Sequence, residues 1–235
     1  QRARQRAQYD ELDKYPVMPP HAFARIVRDK QTLNIIYQII EPPLTKKEQE
    51  QRDEIMDIFI RSLTANIEEI DSNPEAYVRT AMDKVIKAYS MKINKKSKSK
   101  LFYYLRRDLI GYGKMDVLMN DVNVEDVSLD GTNVPIFAYH RKFESVETTC
   151  LWATDEELES YVIKLAQRCG KHISVAEPLL DATLMDGSRI VMKLGHEIST
   201  RGSAFCIRRF KDDPFSPADI VAFRTMSSLM VAYLW

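Results

Sequence analysis

Pro178-Leu179-Leu180-Asp181-Ala182-Thr183-Leu184-Met185-Asp186-Gly187-Ser188-Arg189-Ile190, followed after a short interval by Arg201-Gly202-Ser203-Ala204-Phe205-Cys206-Ile207-Arg208-Arg209-Phe210, places four arginines on or beside what reads as a β-hairpin. Asp186-Gly187 supplies a turn. From Ser188 to Leu194, Ile190, Met192 and Leu194 alternate with Arg189, Val191 and Lys193, the two-residue period of a half-buried strand. Ala204 to Phe210 repeats that alternation, and Gly195 and Gly202 between the two runs predict a flexible tip. Antiparallel pairing then brings Arg189 near Arg208, whereas a one-residue slip brings it near Arg209. Guanidinium groups held on strands suit a phosphate or carboxylate, because the planar fork matches two oxygens and its charge does not titrate away. The plainer alternative is that these are ordinary solvated or ion-paired strand arginines.

Upstream of this motif, Val124 to Leu129, Val134 to Tyr139 and a short run from Glu144 to Thr149 read as strands, joined by Asp130-Gly131-Thr132-Asn133 and by His140-Arg141-Lys142. Thr154 or Asp155 caps a helix running to about Cys169, with Leu158, Tyr161, Val162 and Leu165 as its buried stripe and Gly170 as its stop. Downstream, Pro214 and Pro217 lead into a last helix from Pro217 to about Trp235, whose apolar end calls for a cover.

Nearer the start, the first twenty residues form a charged lead with Pro16, Pro19 and Pro20, expected to be a short helix or a loose arm. Ala22 to Val27 and Leu33 to Ile40 flank Asp29-Lys30-Gln31 and predict a hairpin in which Ile36, Ile39 and Ile40 contribute core. Pro42 and Pro43 end it. Thr45 with Glu48 forms a capping box for a long helix with Ile55, Ile58, Phe59, Leu63, Ile67 and Ile70 on one face. Asp71-Ser72-Asn73-Pro74 breaks that helix and opens a second, carrying Tyr77, Met82, Val85, Ile86 and Tyr89; a third runs from about Ser99 to Ile110. These predict a three-helix bundle.

Lys92 to Lys100 holds lysines at 92, 95, 96, 98 and 100 with no acid. It reads either as a basic patch for an anionic membrane surface or nucleic acid, or as a solvated interhelical loop. The formal net charge is zero, with 34 basic and 34 acidic residues, so no global field draws the chain to polyanions and no nucleic-acid partner is expected.

At 235 residues and 45% hydrophobic content, the chain can bury one or two cores. Its apolar runs fall short of the roughly twenty residues of a membrane span, and the start at Gln1 has no signal-peptide pattern. A chain that neither spans a membrane nor is secreted is therefore expected. Cys150, Cys169 and Cys206 are widely spaced and read as buried thiols rather than a disulfide framework. Cys169 and His172 have ligand-like spacing without two further ligands, His21, His140 and His196 fit no metal or triad pattern, and no metal is expected in this chain. No Gly-x-Ser-x-Gly elbow is present.

The two arginine-bearing runs resemble the N-terminal half of the type II/IV secretion ATPases, the motors of secretion systems, pili and archaella. Three further stretches resemble the archaeal branch: Ile40-Glu41-Pro42-Pro43-Leu44-Thr45, Tyr103-Tyr104-Leu105-Arg106-Arg107-Asp108-Leu109-Ile110-Gly111-Tyr112-Gly113, and Asn120 to Ser128 continued by Val134 to Phe143. Together they run from about residue 35 to the C-terminus in family order. Met185 departs from the pattern, which has proline before Asp-Gly, but Asp186-Gly187 keeps the bend.

A motor of this kind needs a P-loop, Gly-x-x-x-x-Gly-Lys followed by Ser or Thr, and this sequence has none: Gly113-Lys114 and Gly170-Lys171 continue with Met115 and His172. The chain is therefore read as a truncated N-terminal part. The fold expected is α+β: an N-terminal helical bundle with a β-hairpin, followed by a PAS-like antiparallel sheet with flanking helices. The segments expected are 1–42 (arm and β-hairpin), 43–114 (helical), 115–216 (α/β, PAS-like) and 217–235 (a linker helix toward an ATPase domain). The resemblance implies that ATP and Mg2+ bind a C-terminal P-loop domain, over which Arg189, Arg201 and Arg208 close as catalytic and phosphate-binding residues, with Arg209 as substitute if the register slips. It also implies a hexameric ring, a polytopic membrane platform protein as partner, a cytoplasmic place at the inner face of the membrane, and no autonomous activity in this piece. A pure interaction domain docking on the platform is the competing expectation.

Overall fold

The computed structural model of the chain describes residues 8–62, 73–210 and 216–234. Its strands are β1 (Tyr9–Met18), β2 (Ala22–Asp29), β3 (Ile35–Ile40), β4 (Val124–Asp130), β5 (Phe137–His140), β6 (Glu144–Thr148), β7 (Leu179–Thr183), β8 (Arg189–Lys193) and β9 (Ala204–Arg208). Its helices are α1 (Lys46–Ser62), α2 (Pro74–Ala88), α3 (Lys95–Leu109), α4 (Asp116–Asn120), α5 (Asp155–Arg168), α6 (Pro217–Ala222) and α7 (Ser228–Leu234). The class is α+β. All nine strands join one sheet in the order β1-β2-β3-β6-β5-β4-β9-β8-β7.

The N-terminal strands and those of 115–216 thus share a sheet; the strands of 115–216 pair antiparallel throughout, as expected, and the sheet as a whole is mixed only because β3 joins it in parallel. β3 lies parallel to β6, with Ile36 opposite Glu147 and Tyr37 opposite Thr148. Beside this junction the Thr149 N–H donates to the Tyr37 carbonyl (3.1 Å) and its hydroxyl accepts from the Ile39 N–H (3.3 Å). A pairing across so long a stretch of chain leaves no local signal.

Helices α4 and α5 cover one face of the sheet. Leu158, Val162 and Leu165 of α5 and Leu118 of α4 pack with Val127, Ile190, Met192 and Ile207. Trp152 is fully buried, its ring 4.7 Å from that of Tyr161 and edge-on to Phe205 at 5.9 Å. Burying one such apolar side chain stabilises the fold by about 1.5–3 kcal/mol. The other face stays exposed, with Phe137, Tyr139 and Val191 open to solvent.

The three long helices pack around Ile55, Phe59, Val78, Met82, Leu101 and Leu105. The capping box forms as expected: Thr45 Oγ1 accepts from the Glu48 N–H (3.2 Å), and Glu48 accepts from the Thr45 N–H (2.8 Å). Leu63, Ile67 and Ile70 lie outside the described residues. Glu41, just past β3, ties α3 to the sheet by accepting from Tyr103 (2.7 Å) and Arg107 (2.8 Å).

Four local expectations change. Tyr9–Met18 form strand β1 rather than a helix or loose arm, residues 1–7 of the expected arm lying outside the described residues; the bulges of β1 space the inward Leu12, Tyr15 and Val17 unevenly, which hides the strand period. On β3 the core-facing row is Ile35, Tyr37 and Ile39, so Ile36 and Ile40 fall on the opposite face. Helix α3 begins at Lys95 rather than Ser99, because Asn94 caps it by accepting from the Ser97 N–H (2.8 Å). The single C-terminal helix is instead two, α6 and α7, separated by a turn in which Arg224 has φ +58°. Trp235 lies outside the described residues.

Candidate functional site

The arginine motif folds as a three-stranded meander, one strand more than expected. Leu179–Thr183 pairs with Arg189–Lys193, and the latter with Ala204–Arg208. Asp186-Gly187 therefore turns β7 into β8. The Leu184 N–H donates to the Ser188 carbonyl (2.8 Å), Asp186 accepts from the Ser188 N–H (3.0 Å), and Gly187 takes φ +85° against Phe210. Ser188 is buried, and its hydroxyl accepts from the Phe210 N–H (3.0 Å), pinning the exit of β9 to the entrance of β8.

In the β8–β9 pair Arg189 stands opposite Arg208, not Arg209. Ile190, Met192, Phe205 and Ile207 point into the core, so Arg189, Val191, Cys206 and Arg208 share the open face. The side chains of Arg189 and Arg208 are 71% and 80% exposed. Like charges directly opposite across a sheet repel. Acids flank both: Asp181 Oδ2 accepts from Arg189 (3.0 Å) and Asp126 Oδ1 from Arg208 (3.1 Å). Exposed ion pairs of this kind hold a side chain loosely, and a phosphate can displace the carboxylates.

The other two arginines lie elsewhere. Arg209 turns inward, its guanidinium donating to the carbonyls of Asp121 and Val124, so it serves the sheet's packing rather than the open face. Arg201 sits in the β8–β9 loop, 3.9 Å from Asp130. That loop is at the Lys193–Ala204 end of the strands, four residues along from Arg189, or roughly 13 Å. Arg189 and Arg208 are therefore brought together and Arg201 is not.

Two polar clusters escaped sequence reasoning. Asp121 accepts from the hydroxyls of Tyr15 (2.6 Å) and Tyr37 (2.7 Å) and from the Asn123 N–H (2.9 Å). His140 joins through Tyr15 at 2.9 Å, while its Nδ1 accepts from the Lys142 N–H (3.1 Å), which puts the ring proton on Nε2. Burial lowers the pKa of His140. Near Arg201, Asp155 accepts from Thr132 (2.9 Å) and pairs with His196 (3.1 Å), and that bond raises the pKa of His196. The imidazole engages Asp155 and the Thr200 backbone, and the Thr132 hydroxyl donates to Asp155 rather than to the imidazole, so His196 is not placed to activate Thr132 as a nucleophile. Residues so far apart in the chain have no readable spacing.

Among the described residues, no group of three His, Cys, Asp or Glu could hold a metal ion, and no helix is long and apolar enough to cross a membrane. Cys150 is buried, and burial pushes its thiol up to about 12; Cys206 is exposed on the open face, correcting the expectation of buried thiols.

No family profile matches the chain. It is 40% identical over 164 residues to Uncharacterized protein MJ1288 of Methanocaldococcus jannaschii, covering 69% of this chain and 65% of that protein. It is 30% identical over 226 residues to Uncharacterized protein MJ0900 of the same organism, covering 94% of this chain and 40% of that one. A third relative there, Uncharacterized protein MJ0781, is 33% identical over 135 residues. The chain thus spans less than two thirds of the length of each of these relatives. Among solved structures it is similar, at TM-score 0.40 and 18% identity over 53% of this chain and 36% of the other, to the VirB11 ATPase of the Brucella suis type IV secretion system in complex with sulphate.

Proposed function

We propose that this chain is the nucleotide-closing part of a secretion or pilus-assembly ATPase whose P-loop lies on a separate C-terminal domain. The observation that carries the reading is the placing of Arg189 directly opposite Arg208 on an exposed sheet face. Two guanidiniums held against their mutual repulsion suit an anion with several oxygens. The motifs that resemble the secretion ATPases supply the identity of that anion, the terminal phosphate of ATP bound with Mg2+ on the other domain. There the nucleotide supplies the phosphoryl group to be transferred.

Within this chain the work is positioning and charge stabilisation. As the face closes, Arg189 and Arg208 exchange Asp181 and Asp126 for phosphate oxygens, and they oppose the charge developing there. The sheet behind them is rigid, packed by α5 and Trp152, so their approach is a rigid-body motion that hydrolysis can drive. In a hexameric ring at the inner face of the membrane, that motion would act on a polytopic platform protein. No hydrolysis is expected from this chain alone, and no nucleic acid takes part.

The test is ATP turnover by the full-length protein carrying Arg189→Ala, Arg208→Ala or Arg201→Ala, with nucleotide affinity measured in parallel. The first two are predicted to lower turnover by about a hundredfold or more, the scale for a donor acting on a transition-state oxyanion, with affinity largely kept. Arg201→Ala, displaced along the strands, is predicted to do far less. Normal turnover in both Arg189→Ala and Arg208→Ala would make the chain an interaction domain for the platform instead.

A further inference from the structure

The lysine run from Lys92 to Lys100 is not a uniform patch. Lys100 reaches back to the Pro43 carbonyl (2.9 Å) and Glu48 (3.3 Å), and Lys98 pairs with Asp83 at 2.6 Å. Lys95 instead lines a cleft of about 670 Å³ between the Pro19-Pro20 turn, α2 and α3, together with Arg79, Lys98 and Arg106. That volume suits a small organic molecule.

The cleft is cationic and its cations are under-used. Against these four bases it holds only Glu75 and Asp83, a surplus of two positive charges (4 − 2). Arg79 has no carboxylate partner among the described residues; its guanidinium lies 4.2 Å over the Phe102 ring, which fixes it in place. Lys95 likewise forms no ion pair among them. Arg106 sits 4.0 Å from Glu75 and 4.0 Å from Asp116, outside hydrogen-bond reach of both. Asp116 Oδ2, in a residue only 1% exposed, has no hydrogen-bond partner there either, so Arg106 is held by charge without being consumed. The first turn of α3 carries no acid to offset these bases. Met82, Phe102 and Pro20 give the cleft an apolar wall. His21 adds a ring braced by Ser99 (3.0 Å) and Tyr103.

The geometry points to a binding site for a phosphate-bearing small ligand in this cleft, with Arg79 and Arg106, flanking Phe102, gripping the phosphate, Lys95 adding positive charge from further along α3, and the Phe102 wall taking the body of the ligand. The site is separate from the Arg189–Arg208 face and does not rest on the ATPase reading. A soluble phosphate ester and a phospholipid headgroup share the chemistry. Glu75, at the mouth beside Arg106, opposes an anion.

The test is calorimetric titration of the chain with inorganic pyrophosphate. Saturable one-to-one binding is expected, weakened about tenfold or more in the exposed double variant Arg79→Gln/Lys95→Gln and tightened in Glu75→Gln. Thermal melts confirm that both variants are folded. Co-sedimentation with phosphatidylglycerol–phosphatidylcholine vesicles separates the sources. Vesicle binding displaced by pyrophosphate and lost in the double variant supports the headgroup; pyrophosphate binding without vesicle binding supports a soluble phosphate ester. Absence of saturable pyrophosphate binding, or binding that neither variant alters, would overturn the site.

Discussion

Glu48 joins α1 to the start of α3 through several hydrogen bonds at once. It caps α1, accepts from Ser97 Oγ at 2.7 Å and pairs with Lys100. The Ser97 and Thr45 hydrogen bonds, more than the lysine, hold its carboxyl at about 2 against the usual 4.5. A depressed folded-state pKa contributes stability that is complete above about 4.5 and is lost as pH falls toward 2. Glu48→Gln is therefore predicted to cost about 1–3 kcal/mol near neutral pH and to flatten the acid limb of the urea-unfolding profile. His140 has the same sign of pH dependence for a different reason: its ring is buried neutral, so the unfolded chain takes up a proton near 6.5 before the folded one does. Stability is predicted to fall as pH drops below that value, and an NMR titration should find the His140 ring still neutral there. An ordinary midpoint near 6.5 would contradict the burial of its ring, since the neighbouring Asp121 charge acts in the opposite direction.

Turns set the elements of the site, and two glycines separate backbone strain from crowding. Gly131 has φ +110°, and a Cβ there would stand 2.3 Å from the Arg201 carbonyl; Gly170 has φ +65° with nothing within 4 Å. Gly170→Ala is predicted to cost about 1 kcal/mol of left-handed strain, whereas Gly131→Ala should cost clearly more and displace the β8–β9 loop. Equal costs in thermal unfolding would mean that the loop does not rest on Gly131. Elements of this kind were legible where local chemistry decides them. The Thr45–Glu48 box, the alternation of Ile190 and Met192, and the Thr154 cap of α5 are all written in adjacent residues. What escaped depends on distant partners: β1 is spaced by its bulges, β7 is recruited by the Asp186-Gly187 turn, and the β3–β6 junction joins strands far apart in the chain. The Arg189–Arg208 register was legible as one of two choices, and only the buried row behind it selects between them. The Asp121 and Asp155 clusters were not legible, since each gathers side chains from elements with no sequence relation.

At the scale of the whole molecule, one sheet face is covered by helices and the other is left open, carrying Phe137, Tyr139 and Val191 beside the arginine pair. An apolar surface rimmed by charge favours a partner that is both apolar and anionic. An ATP-loaded P-loop domain, as proposed above, would supply the anion. Cys206 sits on this face, on the same strand as Arg208, and is exposed, whereas Cys150 is buried. Its rate of alkylation in the full-length protein, with and without a non-hydrolysable ATP analogue, reads closure of the face directly. Slowing of Cys206 alkylation by about tenfold or more when the analogue binds is the predicted result; an unchanged rate with the analogue demonstrably bound would contradict the claim that this face closes over the nucleotide.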